Sequence, residues 1–375
     1  NNIMDRKEMF EKFIAGMQGI EIEKDIPSLR EAFKGSLNIG TSVPGYDLTK
    51  PNFETELIKK HFNTVVAENC CKMMNVYKGP GEYFWDEADM FFDFAKENNL
   101  RARWHNFVWH GQCAPWIFYK DASKVNMKDF FENKVLAEDL ASSEQIDKRV
   151  KDWIQSVCDR YRGQIVSYDV VNEVISDKKF ALRTREDHSY WQDVMGPDYV
   201  EKAFHWAHEA DPNAELVIND YNLETISEKR QAEYDFVKNL LSKKVPVSAV
   251  GLQGHINMRS SNIDFIEETI EKYASLGVKV LVTELDVSFF DHEDKSPLIL
   301  SEENLKKQAD FYYELFECFK RQNKKGNLSD VILWVVSDYT TWKNHFPVPG
   351  RGDAPLLFGK DGKAKPAFWK IIENV

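Results

Sequence analysis

The stretch IVSYDVVNEVIS, residues 165–176, begins as a run of β-branched and aromatic residues and then meets a polar pair, Asn172-Glu173. A short apolar run of this kind reads as a strand buried on both faces, as in a parallel sheet. Glu173 then falls where the strand leaves the core. An unpartnered carboxylate is expensive to bury. Either a surface loop starts here, or the fold holds the carboxylate for its chemistry.

Seven further strand-like runs flank this one: SLNIGTSV (36–43), FNTVVAEN (62–69), RARWHNFVW (101–109), ELVIND (215–220), AVGLQGH (249–255), KVLVTELDV (279–287) and VILWVVSD (331–338). Helix-period stretches alternate with them at 53–61, 86–98, 144–161, 198–210, 227–242, 262–275, 302–323 and 365–373. Asn99 and Gly277 stand where helices should stop before the next strand. Eight strand-helix units joined by short connections predict an α/β fold, a (β/α)8 TIM barrel. The chain reads as a single domain over 1–375, with a short N-terminal helical arm over about 1–35. An open doubly wound sheet would want a glycine-rich phosphate turn after its first strand, and IGTSVPGYD is a poor match to GxGxxG.

The net charge of -12 leaves no basic stripe to neutralise phosphates, so nucleic acid is not expected as a partner. No apolar run approaches the roughly 20 residues of a membrane span. The opening NNIMDRKEMFEKF lacks the apolar core of a signal peptide. Cys70, Cys71, Cys113, Cys158 and Cys318 are odd in number and irregular in spacing, so they read as ordinary thiols with at most one bridge.

In a barrel of this type the site is built at the C-terminal ends of the strands, and here those ends are polar. They carry Glu68, Asn69 and Lys72; His105, Trp109 and Gln112; Asn172 and Glu173; Asn219, Asp220 and Tyr221; Gln253 and His255; Glu284 and Asp286; and Trp334, followed by Trp342. Side chains two apart share a face, which pairs Gln253 with His255 and Glu284 with Asp286. Taken singly, each residue has a plain reading: His105 as a core histidine, the tryptophans as packing, Asp286 as a cap. His205 and His208 read as surface residues. Seven polar strand ends at one mouth are more than a solvated rim.

Two glutamates on separate strands, tryptophan platforms and amide or imidazole donors fit glycoside hydrolysis, in which one carboxyl must be protonated and the other ionised. A metal-dependent barrel hydrolase is the rival, since histidines and carboxylates are also ligands. Against it stand the absence of an HxH pair and the excess of Trp, Asn and Gln.

The motifs FNTVVAENCCK (62–72), WHNFVWHGQ (104–112), YDVVNE (168–173), INDYN (218–222), GLQGH (251–255), VTELD (282–286), WVVSD (334–338) and KPAFW (365–369) occur in order. In these the chain resembles the family-10 glycoside hydrolases, the endo-1,4-β-xylanases, from about Leu29 to Ile372. The resemblance implies retaining hydrolysis of xylan with Glu173 as acid/base and Glu284 as nucleophile. Asn172 then binds the sugar 2-hydroxyl. Lys72, His105, Gln253, His255, Trp334 and Trp342 surround the sugar on the nonreducing side of the cut; Glu68, Asn69 and Gln112 take the next one outward. Tyr221 faces the leaving group, and Asp286 with His255 orients the nucleophile.

Four positions depart from the family pattern and bear on the shape of the sugar subsites: Met73 and Tyr168 where tryptophan is usual, Asn106 for threonine, and Val335 for glycine. The expectation is a monomeric endo-1,4-β-xylanase acting on xylan and xylo-oligosaccharides, with no metal and no cofactor. It would work outside the cell or at its surface after loss of a leader, or alternatively in the cytoplasm on short oligosaccharides. A β-1,4-glucanase or mannanase, or a catalytically inactive sugar-binding protein, are the alternatives.

Overall fold

A computed structural model describes residues 5–375. Eight parallel strands close on themselves: β1 (Asn38–Val43), β2 (Thr64–Ala67), β3 (Arg101–Trp109), β4 (Ile165–Asn172), β5 (Glu215–Asp220), β6 (Ala249–Leu252), β7 (Lys279–Ser288) and β8 (Leu328–Leu333). Each pairs with its neighbours in chain order, and β8 closes the ring by pairing Leu333 with Thr41 of β1 and Val331 with Val282 of β7. The strands are almost wholly buried because side chains cover both faces. Inside lie small layers such as Val217, Ala249 and Leu281, with Val66, Ile332 and Trp334 in another.

Outside lie the helices α1 (Phe53–His61), α2 (Asp86–Glu97), α3 (Ser143–Tyr161), α4 (Tyr199–Ala210), α5 (Ser227–Ser242), α6 (Ile263–Ala274), α7 (Glu302–Lys324) and α8 (Pro366–Ile372). Their starts follow local chemistry. Asn52, Ser142, Asn262 and Ser301 each accept a hydrogen bond from an otherwise unpaired first-turn N–H. Two of the stops do too: Asn99 (φ +53) and Gly277 (φ +86) take the left-handed conformation that ends a helix. Trp153 of α3 donates its indole N–H to the Phe107 carbonyl of β3 at 3.0 Å, tying a helix to the barrel wall. No helix among the described residues is long and apolar enough to cross a membrane.

Three expectations need correction. The arm is helical only at Arg6–Ala15 and in the turn Leu29–Ala32, and residues 1–4 lie outside the described residues. The eighth strand stops at Leu333, because Val335 turns into the left-handed region (φ +66). The run 249–255 is broken at Gly254 (φ +78), and His255–Asn257 forms a separate short strand on β7. All five cysteines are free, Cys70 half-buried and the other four buried.

Candidate active site

The strand ends open into one cleft of about 1200 Å³. It is lined by every side chain that the sequence reading places at the substrate or the reaction; Asn219, Asp220 and Asp286 lie fully buried behind it. The cleft continues past Tyr221 and Asn222 to Phe265 and Glu268 of α6.

Glu173 follows the last residue of β4 in a left-handed conformation (φ +58), with its N–H bonded to the Asn219 carbonyl at 2.8 Å. Its Oε2 accepts from Asn172 at 3.2 Å and from Gln253 at 3.1 Å. Burial raises its pKa, reinforced by the negative charges of Asp220 and Glu284 and opposed by the Gln253 bond.

Glu284, on β7, has the opposite surroundings. Its Oε2 accepts from Asn219 at 2.9 Å, and its Oε1 lies 3.0 Å from His255 Nε2. The other ring nitrogen of His255 lies 2.9 Å from Asp286, which also accepts the Trp342 indole N–H at 2.8 Å. Burial disfavours a charged His255, but Asp286 and Glu284 overcome it and hold its pKa up near 10. The ring is therefore a cation that donates from both nitrogens. Burial would likewise raise Glu284; the His255 bond and the neighbouring His105 and His255 outweigh it, and the net direction is down. One carboxyl is favoured as the acid and the other as the anion, the division that acid/base chemistry at a single bond requires.

Deeper supports hold this arrangement. His105 Nδ1 lies 2.7 Å from Asp169, which is gripped by the buried Arg103. The charge of Arg103 and the bond from His105 hold the Asp169 carboxyl below its usual range despite burial. Beyond the ends of β2 and β3, Lys72 Nζ donates to Asn69 at 2.8 Å and lies 4.9 Å over the Trp109 ring; Gln112 also reaches Asn69, at 3.3 Å. Glu68 is pushed up to about 7 by burial, with the Lys72 charge opposing. Trp334 and Trp342 stand edge-on to His255, with ring centres 6.4 and 5.0 Å away. Tyr221 sits on the opposite wall, its hydroxyl bonded to Asp177 and Arg183.

Parity explains Glu284 and Asp286, which lie on one continuous strand and both touch His255. It does not explain Gln253 and His255, because the chain turns at Gly254 between them. The four departures from the family pattern do not line the cleft. Met73 is buried; Tyr168 is fully buried, stacked on Phe107 and donating to Asp211 at 2.8 Å. Asn106 and Val335 are also buried, so these residues shape the wall from behind.

Asn219, a polar strand end given no role from the sequence, donates both to Asn172 and to Glu284, each at 2.9 Å, while Thr283 donates to its oxygen at 2.6 Å. The signal was available in its parity with inward-facing Val217 and in Gly251 beside it. A Cβ at Gly251 would come within 2.4 Å of the Asn219 side-chain oxygen.

A family model described as Glycosyl hydrolase family 10 matches residues 28–374. The chain is 38% identical to endo-1,4-beta-xylanase C of Paenibacillus barcinonensis over 96% of its length, but that relative is far longer and only 33% of it is covered. It spans about a third of the length of the first curated relatives it matches. A beta-1,4-xylanase of Dictyoglomus thermophilum is 36% identical, with 93% of this chain and 91% of that one aligned. Among solved structures, an intracellular xylanase from Thermoanaerobacterium saccharolyticum, in a mutant form complexed with xylotetraose, superimposes with a TM-score of 0.80 at 38% identity. That match covers 93% of this chain and 99% of the other.

Proposed function

The chain belongs to glycosyl hydrolase family 10, and from that premise we propose that it is a retaining endo-1,4-β-xylanase in which Glu284 is the nucleophile and Glu173 the acid/base. The observation that carries the reading is the opposed setting of the two carboxyls on the floor of one long cleft. Glu173, protonated, gives its proton to the glycosidic oxygen while ionised Glu284 attacks the anomeric carbon. Protonated His255 and Asn219 keep Glu284 ionised and aimed. Once the leaving sugar departs, Glu173 is an anion and takes a proton from the water that releases the second half. The names of the relatives and the bound xylotetraose of a solved neighbour support xylan over other β-1,4-glycans. The continuous core from Met17 to Ile371 supports one catalytic domain, and every group the mechanism uses comes from this one chain, so the chemistry requires no second copy. Xylan lies outside the cell, which favours export or display at the surface; the intracellular label of a neighbour keeps a cytoplasmic role on short oligosaccharides as the alternative.

The deciding experiment is reducing-sugar release from xylan, cellulose and mannan by one preparation. Release from xylan far above the other two is expected, unchanged by a chelator. A preference for cellulose or mannan would move the activity to the glucanase or mannanase alternative. Loss with chelator, restored by a divalent ion, would revive the metal-dependent hydrolase. No turnover at all would leave a sugar-binding protein.

The pH dependence follows from the two settings. Because the pKa of Glu284 is held below the ordinary glutamate value, activity is lost on the acid side only when the pH falls through that depressed value. Because the pKa of Glu173 is raised, activity persists above the ordinary value and falls as the acid loses its proton. A bell-shaped profile of kcat is expected, its limbs belonging to the coupled pair. A rate still rising where Glu173 should be deprotonated would contradict the assignment.

A further inference from the structure

We propose that Arg183 is a positioning residue for the acid/base, tying the main chain of Glu173 to the wall on the leaving-group side; this rests on the reading of Glu173 as acid/base. After Glu173 the chain makes a short excursion and returns. Ser176 N–H donates to the Ala181 carbonyl at 2.7 Å, Arg183 N–H donates to Val174 at 2.9 Å, and Ile175 and Leu182 pair antiparallel. The return places the Arg183 guanidinium, only 8% exposed, against the acid. Its Nε donates to the Glu173 carbonyl at 2.7 Å, and a terminal nitrogen donates to the Tyr221 hydroxyl at 3.0 Å.

The acid needs such a brace. A non-glycine residue at φ +58 is held against its own preference. The N–H of Glu173 is fixed by Asn219, but its carbonyl has Arg183. A planar guanidinium suits the task because its donors are fixed in a rigid fork, whereas those of an ammonium rotate freely on a flexible stem. The far anchor is itself restrained: Tyr221 donates to Asp177, Lys229 lies 3.6 Å over its ring, and Lys229 bonds Asp177 at 2.8 Å and Asp220 at 3.0 Å. A shift of the leaving-group wall is thereby transmitted to the backbone that carries the acid. Arg183 acts through Glu173 and takes no proton itself.

The test is leaving-group dependence. Arg183→Met keeps the bulk of the side chain and removes both donors. With phenyl β-xylobioside, whose departure needs the acid, kcat/KM should fall about tenfold or more; with 2,4-dinitrophenyl β-xylobioside, which departs unaided, it should fall less than about threefold. Tyr221→Phe removes only the far anchor and should give a smaller loss with the same selectivity. It decides the matter if Arg183→Met does not fold. Equal losses on the two substrates, or no loss on either, would overturn the proposal. Glu173→Ala measured beside them separates the failures: if that variant shows no leaving-group selectivity, the acid assignment has failed, and the role of Arg183 falls with it.

Discussion

Glu284→Ala is expected to stop turnover of every substrate, xylan and activated aryl xylobiosides alike, by about 10⁵-fold or more, the scale reached when a nucleophile is removed from a site that works as a unit. No improvement in the leaving group can compensate, because the lost step is formation of the glycosyl-enzyme itself. The geometry also says what should restore turnover. Glu284 is 5% exposed and sits between Asn219 and the His255 cation, so the truncated side chain leaves a space lined by donors that suits a small anion. Azide entering it attacks the anomeric carbon from the nucleophile's side, with Glu173 still present to protonate the leaving oxygen. One inversion results, and the product is the α-glycosyl azide, identified by the proton NMR of its anomeric centre. Xylan hydrolysis retained in this variant, or a β-azide product, would place the nucleophile elsewhere.

Much of this site was readable in the chain because a barrel converts strand order directly into spatial order. Each apolar run ends at the same mouth, so a polar residue at a run's end is a candidate on position alone. Glu68, Asn172, Glu173 and Gln253 were found in that way, and all four line the cleft. Helix limits were legible for a local reason: a side chain such as Asn52 or Ser301 that caps its own first turn signals the start without tertiary help. What escaped depends on contacts between strands. Asn219 looks like one more polar strand end. Its reach to two strands at once depends on the register that sets it opposite Asn172 and on the missing side chain at Gly251. Arg183 escaped because its contact with Glu173 exists only after the chain folds back ten residues later. The strand run 331–338 was overextended for a related reason. Val, Val and Ser at 335–337 have strand character, but Val335 is turned to φ +66, its N–H held by the Ser42 hydroxyl at 2.7 Å. The family's usual glycine is the natural occupant of that conformation, so the departure at this residue falls on a backbone turn behind the cleft wall.

Glu173→Ala is expected to behave differently from Glu284→Ala, and the difference assigns the roles. On xylan it should cost about 10²- to 10⁴-fold, the contribution of a general acid, because an unprotonated sugar alkoxide is a poor leaving group. On 2,4-dinitrophenyl β-xylobioside the first step needs no proton. Glu284 remains ionised through His255, so a burst of dinitrophenolate should appear at nearly the original rate. Turnover then stalls, since the base that activates water is gone, and the glycosyl-enzyme should accumulate, visible as an added xylobiosyl mass on the intact protein. Azide needs no base. Added at this stage it should raise the steady rate and yield the β-glycosyl azide, because Glu284 has inverted the centre once and azide inverts it again. The alkaline limb of the pH profile should vanish for this substrate, as that limb belongs to the proton on Glu173. An α-azide here, with the β product from Glu284→Ala, would reverse the two roles. Undiminished xylan hydrolysis in both variants would remove the catalysis from this cleft altogether.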